Sequence, residues 1–108
     1  MVYDVKANVT NLRTSKTPFA TGYRPSFQIL PNYLTTGEIT LIENKILSCG
    51  TTSQAYIRFL TPDNYPHSLW VGKIIYFYEG EAVTGSAEII DIYNNILLSK
   101  NHKVDKEN

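Results

Sequence analysis

The chain has 108 residues, 43% of them hydrophobic and 19% charged, and its ten Lys and Arg balance ten Asp and Glu to leave no net charge. Such a composition folds as one globular domain with a single modest core, and it excludes a disordered chain. The charge balance argues against a protein that lives on a phosphate backbone, which usually carries a basic excess, and the lone Cys49 excludes an intrachain disulfide and suits a reducing compartment.

The first residues, MVYDVKANVT, lack the basic segment and apolar stretch of a signal peptide. No apolar run approaches the ~20 residues of a membrane helix, so a cytoplasmic chain without membrane contact is expected. Asn8-Val9-Thr10 fits a glycosylation sequon, but without export it carries no weight.

Val2–Val9 alternates, with Tyr3, Val5, Ala7 and Val9 on one face and Asp4, Lys6 and Asn8 on the other. Thr17–Phe27 (TPFATGYRPSF) packs prolines, a glycine, aromatic rings and Arg24 together, which is too stiff and aromatic for an ordinary solvated loop. Gly37–Ile42 sets Ile39 and Leu41 against Glu38 and Thr40, and Gln54–Leu60 sets Ala55, Ile57 and Phe59 against Tyr56, Arg58 and Leu60. Lys73–Tyr78 (KIIYFY) is almost wholly apolar, which predicts a central strand covered on both faces. Ser86–Tyr93 is rich in β-branched residues and alternates loosely.

Turn signals separate these runs at Pro31-Asn32, Thr36-Gly37, Glu43-Asn44, Gly50, Pro62-Asp63-Asn64, Glu79-Gly80-Glu81 and Gly85. Roughly six short strands at such spacing predict an all-β domain, a small sandwich or closed barrel, and closure would remove the exposed edges of such apolar strands. Asn94–Lys100 fits one helical turn, and the charged NHKVDKEN after it is expected to fray. The domain is therefore placed at residues 1–95, with residues 96–108 as a short tail.

Catalytic chemistry finds little support. His67 and His102 are the only histidines, and His67 has no nucleophile or orienting carboxylate at a recognisable spacing. One cysteine and two distant histidines match no zinc pattern. Glu79 and Glu81 flank Gly80 as a solvated hairpin pair rather than an acid–base pair. The Gly80–Gly85 stretch lacks the Lys-Ser/Thr ending and following helix of a phosphate loop. The expectation is a non-enzyme without nucleotide, metal or other cofactor.

The stretch TPFATGYRP, followed by Phe27, closely resembles the loop near the start of the C-terminal (third) β-barrel of translation elongation factor Tu. TTGEITL, QAYIRFLTP and FYEGEAVTGSAEIIDI follow in that domain's order, so that the resemblance spans residues 2–94. It implies a six-stranded antiparallel Greek-key barrel, with no counterpart of the factor's GTPase domain or second barrel. In the family this barrel grips the T-stem of aminoacyl-tRNA. Thr36 and the Glu79-Gly80 pair match motif residues that touch the T-stem. Ser26 stands where the family has the glutamine after the GYRP proline, and Thr61 where it has the basic residue before the strand-ending proline. Tyr78 replaces the arginine before the Glu-Gly pair. Ser15 replaces the arginine two residues ahead of the TPF segment, with Lys16 beside it as a substitute.

Losing those cations removes phosphate contacts, each worth about one unit of salt slope, and Glu79, Glu81, Glu88 and Asp91 in the last hairpin add repulsion. Tyr78 could stack on a base, but a duplex T-stem offers none free. In the family the GYRP loop lies against neighbouring parts of the same molecule. Here Phe19, Tyr23, Arg24 and Phe27 either fold back into the barrel or form a surface for another chain. In the first case Phe19 and Phe27 join the core, Tyr23 caps it, and Arg24 bonds to carbonyls or a carboxylate.

Eight tyrosines and one tryptophan exceed what so small a core needs, and Tyr33, Tyr65, Trp70 and Tyr78 fall near loops or strand ends. Tyr, Trp and Arg are also the residues enriched in binding hot spots. The expected function is a non-catalytic binding module. Its partner is a protein of the translation apparatus or a second copy of itself, met by a loop of Phe19, Tyr23, Arg24, Pro25 and Trp70. The other reading is a weakened tRNA site at Lys16, Thr36, Glu79 and Gly80.

Overall fold

The computed structural model describes residues 3–99; the expected strand start at Val2, and the tail from Lys100 with His102, lie outside the described residues. The strands are β1 (Val5–Asn11), β2 (Phe19–Ala20), β3 (Ser26–Leu30), β4 (Tyr33–Leu41), β5 (Ile46–Leu47), β6 (Thr52–Phe59), β7 (Ile74–Glu79) and β8 (Ala82–Ile92), with 3-10 turns at Pro62–Asn64 and Asn95–Leu97. Six of them close a barrel in the order β1-β6-β4-β3-β7-β8, every neighbour antiparallel, while β2 and β5 form a separate two-stranded sheet.

Alternation decides which residues point inward. Val5, Ala7 and Val9 of β1, Ile39 and Leu41 of β4, and Ala55, Ile57 and Phe59 of β6 are all buried, as the period-two pattern requires. β7 departs from expectation. Ile75 and Phe77 are buried, but Ile74 is 53% and Tyr76 45% exposed, so this strand is covered on one face only. Barrel closure gives every strand one inner and one outer face, and an all-apolar run cannot reveal which side stays wet.

β3 gives only a brief pattern between Pro25 and Pro31. Pro25, with no N–H to donate, sits just before the strand, and its carbonyl accepts the Gly37 N–H at 3.2 Å. Asp4, expected on the outer face, is buried instead. Its carboxylate accepts the Phe59 N–H at 2.7 Å and the Asn94 side-chain amide at 2.9 Å, and its carbonyl accepts from Tyr93 and Asn94. The segment after β8 is thereby tied down. Leu97 is fully buried and Leu98 bridges Leu69, so the fold extends past residue 95 as far as Ser99.

The core is an aromatic column. Tyr23, Phe77, Phe27, Phe59, Tyr65 and Tyr33 follow one another with ring centroids 5.1–6.3 Å apart, in the tilted and edge-on geometries that aromatic quadrupoles favour. Tyr65, one of the tyrosines placed near loops or strand ends by sequence, is 1% exposed within it. Two glycines make the room. A Cβ on Gly37 would lie 2.7 Å from Phe27 Cε1, and one on Gly85 would lie 2.0 Å from Phe77 Cζ and 2.6 Å from the Thr10 carbonyl oxygen. Both glycines read as turn signals in the sequence; they lie inside β4 and β8, where they serve close approach.

Gly85→Ala is therefore expected to cost about 3 kcal/mol or more in urea unfolding, because neither the ring nor the β1 backbone can withdraw cheaply. Gly50→Ala, with nothing within 4 Å and only a φ of +81° to oppose it, should cost roughly 1 kcal/mol. Equal costs would contradict this packing.

Candidate functional site

The Thr17–Phe27 stretch does clamp an arginine, but a different one. Phe19 in β2 is buried, and Tyr23 stacks on it at 4.5 Å while its backbone bridges Ile39. Over these rings lies Arg13, its guanidinium carbon 4.8 Å from the Tyr23 centroid and 5.6 Å from that of Phe19. Arg13 Nη2 donates to Glu79 Oε2 at 2.8 Å, and the Tyr23 hydroxyl donates to the same oxygen at 2.6 Å with Thr84 Oγ1 2.9 Å away. Arg13 Nη1 reaches the Pro18 carbonyl and Thr17. The loop is thus folded back onto the barrel, and Glu79 is engaged inside it.

The electrostatics follow from that geometry. The Tyr23 hydroxyl, then Arg13, hold the Glu79 carboxyl below its ordinary value of 4.5. Burial, reinforced by the Glu79 carboxylate, pushes the Tyr23 phenol up. Burial acts against the Arg13 charge, yet Glu79 and Tyr23 outweigh it and its pKa rises.

Arg24, by contrast, stands on the surface with its side chain 65% exposed, its Nη2 3.4 Å from Glu38 Oε2. Arg58 approaches the other oxygen of the same carboxylate at 3.1 Å, a contact set by the Arg58–Glu38 cross-strand register. Both guanidiniums border a groove of about 300 Å³ lined also by Thr36, Gly37, Phe59 and Leu60. Trp70 is half-buried at the other end of the barrel. It precedes β7, whereas Tyr23 meets Glu79 at that strand's end, so Tyr23 and Trp70 form no common patch. The Lys73 ammonium lies 4.6 Å from the Trp70 centroid and donates to the Ser68 and Ile29 carbonyls, and burial lowers its pKa.

The candidate tRNA positions divide. Thr36, Ser26 and Tyr78 are cross-strand neighbours in one row over β4, β3 and β7. Gly80, at the β7–β8 turn, joins Tyr78, Gln28 and Leu34 around a groove of about 440 Å³. Lys16 lies elsewhere, exposed in a tight turn at φ 62°, its N–H bonded to the Arg13 carbonyl. His67 is exposed with Nδ1 3.0 Å from the Leu98 carbonyl oxygen, and Ser68 donates to Tyr65, so no nucleophile–base pair forms there. Among the described residues, no group of three or more His, Cys, Asp or Glu converges on a metal-sized site. Nor is any helix among them long and apolar enough to cross a membrane.

On one side of the row, the outer wall of β4, β3 and β7 is uncharged, and it is bounded by Glu38 on β4 and Glu79 at the end of β7. From Leu34 to Thr36, Ser26 to Leu30 and Ile74 to Tyr78 it carries no Lys, Arg, Asp or Glu, and Leu34, Ile74 and Tyr76 are each about half exposed. No single run of sequence shows this wall, because the β3–β4 hairpin builds it together with β7, which is distant in the chain. Arg13 escaped the sequence reading for the same reason, its carboxylate partner lying 66 positions away.

No protein-family model matches the chain, and no curated protein matches it.

A pH titration of stability checks the Arg13–Tyr23–Glu79 cluster. Since folding lowers the Glu79 pKa, its contribution is complete above the ordinary 4.5 and fades as pH falls through the folded value. Glu79→Gln should therefore be less stable than the parent by up to about 1 kcal/mol near neutrality, half of the carboxylate being exposed. The gap should close in acid; a gap independent of pH would contradict the coupling. Tyr23→Phe should cost about 1 kcal/mol and return the Glu79 pKa toward its ordinary value.

Proposed function

We propose that this barrel is a non-catalytic binding module, a counterpart of the third domain of elongation factor Tu, whose uncharged β4–β3–β7 wall docks on a protein of the translation apparatus. In that role it is a mimic or competitor of the factor's own domain and works in the cytoplasm. The link to translation rests on the resemblance of TPFATGYRP and the strand motifs that follow it. The protein-binding part rests on the wall. Half-exposed Leu34, Ile74 and Tyr76 lie beside a row of neutral polar groups, and the cores of protein interfaces are depleted in charge and rich in aromatic and aliphatic side chains. Leu34 and Ile74 are already about half covered, so burying the rest of each would contribute roughly half of the ~1.5–3 kcal/mol of a fully exposed side chain.

A second reading, a weak tRNA surface, draws support from the alignment of Thr36, Ser26 and Tyr78 with Gly80 beside them. The cations speak against it. Arg13 is committed to Glu79, Lys73 is half-buried against carbonyls, and Arg24 and Arg58 share Glu38. Phosphate contacts supply most sequence-independent affinity for RNA, and the wall offers none.

A reconstituted elongation assay that depends on elongation factor Tu tests the proposal. The protein should slow peptide synthesis in a saturable manner. The double variant Leu34→Glu, Tyr76→Glu should fold with little loss, since surface changes rarely exceed about 0.5 kcal/mol each, and should lose most of the inhibition. No slowing by the parent, or equal slowing by both proteins, would contradict it.

A further inference from the structure

The groove at the edge of the wall has a chemistry of its own. Glu38 sits between Arg24 and Arg58, each guanidinium giving it one nitrogen, at 3.4 and 3.1 Å, and both arginine side chains are more than half exposed. A guanidinium presents five N–H donors in a planar fork, so most of these donors face the groove and solvent. Two positive groups against one carboxylate also leave one charge uncompensated, Glu38 being the only acid among the described residues that line this groove. Leu60, the next residue in the lining after Phe59, is 71% exposed, the highest value among the large apolar side chains described.

We propose that this groove recognises an acidic residue of a protein partner, whose carboxylate enters between Arg24 and Arg58 while an adjacent apolar side chain rests on Leu60. The proposal rests on the protein-binding reading above and names the partner's chemistry. A carboxylate suits the site because a planar fork can hold its two oxygens side by side. An RNA backbone suits it less: one uncompensated charge is few for a polyanion, and Leu60 gives nothing to a phosphate. Neither Glu38 nor Arg58 is part of the GYRP segment; cross-strand pairing of β4 and β6 assembles them beside Arg24.

The test is an NMR titration of the isotope-labelled chain with a capped pentapeptide, acetyl-Gly-Leu-Glu-Leu-Gly-amide, and with its glutamine analogue. The acidic peptide should shift the amides of Thr36, Gly37 and Leu60 saturably, and the glutamine analogue should bind roughly tenfold more weakly. Arg58→Gln should weaken the acidic peptide about as much. Glu38→Gln, which removes the competing carboxylate, should tighten it about threefold.

Equal affinity for the two peptides would overturn the site. So would inorganic phosphate binding as tightly as the acidic peptide, which would leave a bare anion site without an apolar part. Tighter binding of a short RNA duplex at the same amides would replace the protein ligand with a nucleic acid. Shifts confined to Gln28, Leu34 and Tyr78 would overturn this groove while leaving the wall as a protein-binding surface. Absence of any shift would likewise overturn the groove, and the elongation assay would then show separately whether the wall binds.

Discussion

The barrel depends on the fit of two phenylalanine rings over two glycines. Phe77 fills the volume a Cβ on Gly85 would need, and Phe27 does the same over Gly37. Interiors are packed too densely for both a ring and a side chain at such distances, so these strand positions must be glycine for the six strands to close at this radius. The two rings then touch each other, 5.1 Å between centroids, and carry the contact outward to Tyr23 on one side and to Phe59, Tyr65 and Tyr33 on the other. The Thr17–Phe27 loop hangs from the end of that column. Its stiffness serves internal packing, with Tyr23 held between Phe77 and the Arg13–Glu79 pair.

One strand shows how the inside and outside of the barrel are linked. β7 turns Phe77 into the column and presents Tyr76 and Tyr78 on the wall, while its last residue, Glu79, secures Arg13. Packing of the interior thus holds the strand backbone that carries the wall's side chains. It also removes cations from the surface. Arg13 lies over aromatic rings and Lys73 against carbonyls, so the wall is uncharged through the placement of these residues as well as through its composition.

Much of the fold was legible in the sequence. Val5, Ala7 and Val9, Ile39 and Leu41, and Ala55, Ile57 and Phe59 announce their inward faces by alternation alone, while strand spacing leaves a small sandwich or a closed barrel, of which the structure is the closed antiparallel barrel. Uniformly apolar β7 concealed its wet face because period two leaves no mark on a run such as IIYFY. Gly37 and Gly85 looked like turns because sequence shows a missing side chain without showing what occupies its place. Asp4 looked solvated, since its partners Phe59 and Asn94 lie 55 and 90 positions away. Of the candidate interaction-loop residues, Phe19 and Tyr23 stack on each other with Phe19 buried, and Arg24 and Trp70 do not join them. The Arg24–Glu38–Arg58 groove depends on pairing of β4 with β6, and the wall on pairing of the β3–β4 hairpin with distant β7, relations that local pattern does not encode.

What separates a protein-binding wall from an RNA-binding one is whether phosphate is recognised at all. Titration of labelled aminoacyl-tRNA with the protein, at low and then at physiological salt, measures this most directly. With Arg13 and Lys73 committed inside the fold and Glu38 between the remaining arginines, no saturable binding is expected even at low salt. Saturable binding that prefers charged tRNA and changes little with salt would contradict that expectation, and would mean that Thr36, Ser26, Tyr78 and Gly80 hold RNA through polar contacts alone.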